Sequence, residues 1–134
     1  MRLVLLLSLL AAPLAAQEGP VSTPVLDTTQ TAAGQPIDPP DADAQVIVTR
    51  LAIPPGAELP VHKHPFPRMA YVLAGQLVVT DVESGSETTY AQGDFIVEMT
   101  GTWHFGRNDG TGPLELLVID TVPEGTSNTV LREE

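Results

Sequence analysis

From Gln45 onward the chain is written in short runs of Val, Ile, Leu and Thr cut by Gly and Pro: QVIVTRLAI, ELPVHKH, MAYVLAG, QLVVTDV, ETTYA, DFIVEM and LELLVID. Evenly spaced runs of this length, each bounded by turn residues, specify an all-β sandwich or barrel. Glu83-Ser84-Gly85-Ser86 reads as a hairpin turn between the fourth and fifth runs. No window beyond residue 17 carries a 3.6-residue apolar period, so little helix is expected.

The segment before these runs has a different character. Residues 1–16, MRLVLLLSLLAAPLAA, have a basic start at Arg2, an apolar stretch from Leu3 to Leu10 and small residues before a cut expected between Ala16 and Gln17. That is the layout of a secretory signal peptide, which implies a periplasmic or secreted product. The apolar segment ends at Pro13, short of the roughly 20 residues that span a bilayer, so no stable membrane insertion is expected once it is removed. Residues 17–44 are rich in Pro, Thr, Asp and Ala and read as a flexible leader. Within it, Val25 to Thr31 has the β-branched content to add a strand. The barrel is assigned to residues 45–122 and a C-terminal tail to 123–134. There is no cysteine, which removes disulfides and a lipid-anchored N-terminal cysteine. The net charge of −11 repels phosphate backbones and makes nucleic acid an unsuitable partner. An exposed strand edge, or the 25–37 segment added to a neighbour's sheet, gives a route to a homodimer.

The chemistry concentrates in the three histidines of the chain. His62 and His64 flank Lys63; on a strand, side chains two apart share a face, with their Cα atoms about 6.5–7 Å apart. Two such imidazoles can lean onto one ion at bond lengths of about 2.0–2.1 Å. His104 is the only other histidine and must reach them through the fold.

With Gly56, His62, His64 and Gly75 at these intervals, the first half of the run resembles the first motif of the cupins, glycine–five–His-x-His and a closing glycine. Gly93, Gly101, His104 and Asn108 match the second motif at every interval, with Met99 in the place of its proline. Together they cover residues 56–108. The chain is therefore identified as similar to small single-domain cupins of the cupin type-2, RmlC-like superfamily. The resemblance implies a double-stranded β-helix, or jelly-roll barrel, with His62, His64 and His104 as metal ligands. Gly75, Gly93 and Gly101 are expected at strand junctions. Asn108 is expected to brace a loop through side-chain-to-backbone bonds, and Trp103 to face away from His104 by strand parity.

One position departs from the family pattern. The glutamate that usually completes the metal shell lies six residues before the closing glycine, and here that residue is Arg68. A guanidinium cannot ligate and does not lose its proton. Facing a dication at about 6 Å with an effective dielectric of about 20, it is repelled by about 5–6 kcal/mol. Three outcomes are open. Arg68 turns outward or pairs with a carboxylate such as Glu98 or Glu58; or it anchors an anionic substrate that bridges metal and guanidinium; or it replaces the metal.

Two functional classes follow. In the first, the chain is a metalloprotein in which His62, His64 and His104 hold a divalent ion and leave coordination positions open to a small molecule. The resemblance favours Fe(II), with Mn, Ni, Zn or Cu as alternatives, and implies oxygen-dependent chemistry on small carbonyl compounds, an oxidoreductase or isomerase if an enzyme at all. In the second, it is a non-catalytic module that binds a small anion through Arg68. A barrel whose histidines merely fill its interior is the plainer alternative. Among other polar groups near the motifs, Tyr71 points away from the pocket by parity with Arg68, leaving Glu98 and Glu58.

Overall fold

The computed structural model describes residues 22–41 and 43–133; the expected signal peptide lies outside the described residues. Nine strands, all antiparallel where they pair as strands, and no helix make up the described residues: β1 (Ala44–Ile53), β2 (His62–Lys63), β3 (Arg68–Ala74), β4 (Gln76–Asp81), β5 (Glu87–Ala91), β6 (Phe95–Val97), β7 (His104–Arg107), β8 (Leu114–Pro123) and β9 (Val130–Leu131). They form a four-stranded sheet, β1-β8-β3-β6, packed against a five-stranded sheet, β5-β4-β7-β2-β9.

The alternation read from the sequence is what drives this packing. Along β8 every second residue is buried: Leu114, Leu116, Val118, Asp120 and Val122. Leu114, Leu116 and Val118 meet Ile53 at the end of β1, Ala70 and Val72 on β3, Ile96 on β6 and Leu77 on β4, forming one core between the sheets. Burying aliphatic side chains of this size contributes about 1.5–3 kcal/mol each. Polar residues fall into the same inward register at only a few places, and those places make the site.

The chain crosses between sheets at Gly75, where β3 gives way to β4. Gly75 has φ of +79°, and a Cβ there would lie 2.8 Å from the Pro113 carbonyl oxygen. Both the left-handed backbone and the close approach exclude a side chain. The expected hairpin between β4 and β5 is present. Asp81 closes it by accepting the amides of Glu83 and Ser84, at 2.8 and 3.2 Å, on its Oδ1.

The segment before β1 adds no named strand over Val25–Thr31. Its turn docks on the edge of β6 in the same molecule. The Ala32 amide donates to the Val97 carbonyl at 2.8 Å, and the Gln35 side chain clasps the Thr100 backbone at 2.7 and 3.0 Å. An edge strand that would otherwise offer free backbone groups is thereby covered. At the other end, the tail contributes a strand that sequence reasoning did not foresee. β9 pairs with β2, Leu131 opposite His62 and Val130 opposite Lys63.

Candidate metal centre

His62 on β2 and His104 on β7 are directly opposite in the antiparallel ladder, and His64 follows β2 with its backbone bridged to Thr100. The three rings meet inside the barrel with centroids 4.6–4.9 Å apart. All three histidines are buried, at 6 %, 0 % and 2 % exposure. Lys63, between the first two, points outward, and its Nζ sits 4.5 Å over the Trp103 ring, so both neighbours of the ligating positions pack on the opposite face.

Each ring is oriented by a hydrogen bond from its Nδ1–H to a backbone carbonyl: His62 to Pro60 at 2.8 Å, His104 to Thr102 at 2.8 Å, His64 to Asn128 at 2.7 Å. A carbonyl can only accept, so Nδ1 carries the proton in each neutral ring and Nε2 is left as a bare lone pair. A carboxylate joins them. Glu98, just past β6, places Oε2 3.1 Å from His64 Nε2 and 3.4 Å from His104 Nε2. Donor atoms from His62, His64, His104 and Glu98 all lie within 4.8 Å of one another. His104 Nε2 is buried and has no hydrogen-bond partner among the described residues.

These residues fit a metal ion. With neutral rings, three lone pairs and a carboxylate converge, an arrangement that is repulsive until a proton or a metal ion is shared. The Glu98 oxygen, at 3.1 and 3.4 Å from two ring nitrogens, is already at the spacing of neighbouring ligands on one ion with bonds of about 2.1 Å. Carbonyls bound to the far ring nitrogens are the usual outer partners of metal-ligating histidines.

A carboxylate absent at Arg68 is thus offered by Glu98, just past β6, making four candidate donors where the sequence reading had three. The signal lay in Glu98 standing two residues after Ile96, in phase with a core side chain inside the apolar run FIVEM. Arg68 itself faces inward, in register with Asp120 on β8. It is held by that residue in a two-pronged pair, Nε to Oδ1 at 2.7 Å and Nη2 to Oδ2 at 2.9 Å. Its partner is Asp120, not Glu98 or Glu58. Nη1 has no hydrogen bond to protein among the described residues, and Arg68 lines a small cavity of about 30 Å³ together with Leu51, Leu59, Leu77, Val79, Leu116 and His62, Glu98 and His104. Tyr71 packs outside the barrel near Phe95, and Asn108 braces a loop by bonds to the Ile53 and Gly112 carbonyls and the Gly110 amide.

The site's electrostatics have one sign. Burial pulls the His62 pKa from 6.5 down to about 4; the Pro60 carbonyl opposes this, and the other two imidazoles add to it. Burial pushes the Glu98 carboxyl up and the charge of Arg68 pulls it down; His104 and His64 lower it only where their Nε2 atoms carry a proton to donate. A depressed histidine stabilises the fold fully above its unfolded value. That contribution is lost as the pH falls from 6.5 toward 4. The metal-free protein is therefore expected to lose about 2–3 kcal/mol from His62 between pH 7.5 and 4, read by denaturant unfolding at each pH. In a metal-loaded protein the same protons compete with the ion. A stability flat across that window would contradict the burial of a neutral His62.

A family model, described as the cupin domain, matches residues 49–120, more than half of the chain. The chain is a cupin. Comparison of this cupin with curated proteins gives no match. Among solved structures, a double-stranded β-helix protein from Klebsiella pneumoniae is 24% identical with a TM-score of 0.56, over 66% of this chain and 71% of that one. The TT1209 protein of Thermus thermophilus is 32% identical with a TM-score of 0.50, over 58% and 72%. An oxalate oxidase in complex with the substrate analogue glycolate is 25% identical with a TM-score of 0.53; this cupin covers 45% of that chain, with 64% of its own length.

Proposed function

We propose that this cupin holds a divalent metal ion through His62, His64, Glu98 and His104 and uses it to bind a small molecule. What carries the reading is the convergence of three unprotonated Nε2 atoms on a carboxylate, with one of them, on His104, buried and unpartnered. Three nitrogens and one oxygen fill a tetrahedral shell but leave two positions free on a six-coordinate ion, which favours Fe(II) or Mn over Zn for chemistry at an open position. Such an ion supplies Lewis acidity and, when redox-active, electrons for oxygen chemistry.

The chain's own residues then set what is bound. The enclosed space of about 30 Å³ is the size of a water, so a ligand enters only as the aliphatic wall gives way, and it then meets Arg68, which offers a charge-assisted hydrogen bond. A small carboxylate or carbonyl compound, one end toward the donors and the other toward Arg68, satisfies both. Support for this comes from the oxalate oxidase neighbour, whose structure holds glycolate. Asp120 balances the guanidinium beside the site and so reduces the repulsion between Arg68 and a cation. In a second reading Arg68 captures an anion without metal, but that anion must compete with Asp120 for the same guanidinium.

The test is metal content. After stripping and reloading with Fe(II), Mn, Ni, Zn or Cu, the protein is expected to retain about one equivalent. Retention below about a tenth of an equivalent for every ion sinks the proposal. Export to the periplasm is proposed on the apolar segment Leu3–Leu10 alone. N-terminal sequencing of protein from the periplasmic fraction should begin at Gln17, and an intact Met1 there would refute it.

A further inference from the structure

The tail beyond the family match reaches back to the centre. Two of the three ring-orienting carbonyls, Pro60 and Thr102, lie two residues before the histidine they hold, so local strand geometry sets them. The third does not. His64 donates to the carbonyl of Asn128, 64 residues downstream. Asn128 is 4 % exposed, and its side chain is fully engaged. Oδ1 accepts the amide of Phe66, two residues past His64, at 2.9 Å, and Nδ2 donates to Asp120 Oδ1 at 2.6 Å. The tail is further pinned by the β9–β2 pairing and by the Arg132 amide on the Val61 carbonyl at 3.0 Å.

The geometry points to Asn128 as a positioning residue of the metal centre: its side chain locks the tail so that its own carbonyl fixes which nitrogen His64 presents. The inference rests on the metal reading above. The side chain needs one acceptor and one donor on the same short stem. Alanine offers neither, and aspartate would set a second carboxylate against Asp120. Without the carbonyl at its place, the His64 ring is free to move its proton to Nε2, where it blocks an ion.

The experiment compares the full-length wild type with Asn128→Ala, using Zn(II) as a diamagnetic probe. Chelator competition is expected to show a 10–100-fold loss of Zn(II) affinity, the range typical for removing an outer partner of a ligating histidine. Nitrogen-15 spectra of the metal-free proteins should show the Nδ1–H form of His64 in the wild type and its depletion in the variant. A core truncation outside the donor set and its hydrogen-bond partners, Val72→Ala, should lower stability yet change neither readout. Equal affinity in Asn128→Ala with His64 still protonated at Nδ1 would overturn the inference. Should the variant fail to fold, the wild type alone decides. A His64 Nδ1 proton that exchanges slowly and couples to the residue 128 carbonyl carbon supports the assignment, and its absence refutes it. A wild type that binds no ion defeats the proposed function, and the His64 spectra still judge the role of Asn128.

Discussion

Glu98→Gln is expected to lower affinity for a divalent ion by about a hundredfold or more, some 3 kcal/mol, while leaving the metal-free protein as stable as before or more so. The substitution keeps the shape of the side chain and removes its charge and its strongest donor atom. In the metal-free state it also brings an amide N–H to a place where the described structure has only acceptors, beside the unpartnered Nε2 of His104. A new donor there relieves the repulsion among lone pairs. Two readouts moving in opposite directions are hard to obtain from general damage to the fold. Competition titration and denaturant unfolding measure them, and a glutamine variant that holds metal as tightly as the wild type would remove Glu98 from the donor set.

Asp120→Ala is expected to cost about 3–5 kcal/mol of stability, the range for leaving one member of a buried ion pair alone. Asp120 is 5 % exposed and receives Arg68 at two points and Asn128 at a third, so truncation strands a guanidinium and an amide at once. The double variant Arg68→Met, Asp120→Leu should recover most of the loss, because two apolar groups of similar volume replace two desolvated charges. Urea unfolding of the three proteins checks this. A loss below about 1 kcal/mol in the single variant would mean that Arg68 has another resting place.

Much of this architecture was legible before any coordinates, and for a definable reason. The strands from Ala44 to Pro123 announce themselves through inward-outward alternation and turn residues, which are local signals. His62, His64 and His104 are legible because a spacing pattern ties them to a known barrel. Their pairing across β2 and β7 is what that spacing encodes. Glu98 was read as a polar group near the pocket and a partner for Arg68, not as a donor, because it sits outside the motif position of the glutamate. Only its phase with Ile96 betrays the inward direction. The Arg68–Asp120 pair depends on antiparallel register over 52 residues, which no local pattern states. β9 is two residues long and follows Gly125-Thr126-Ser127-Asn128, a stretch indistinguishable by composition from a loose end.

The joining of residue 128 to residue 64 also bears on when the centre is finished. A ribosome making this chain delivers every donor side chain by residue 104, yet the acceptor that aims one of them emerges two dozen residues later. A nascent chain therefore carries a complete set of donors with one ring still free to turn. The centre is finished only once residue 128 has emerged.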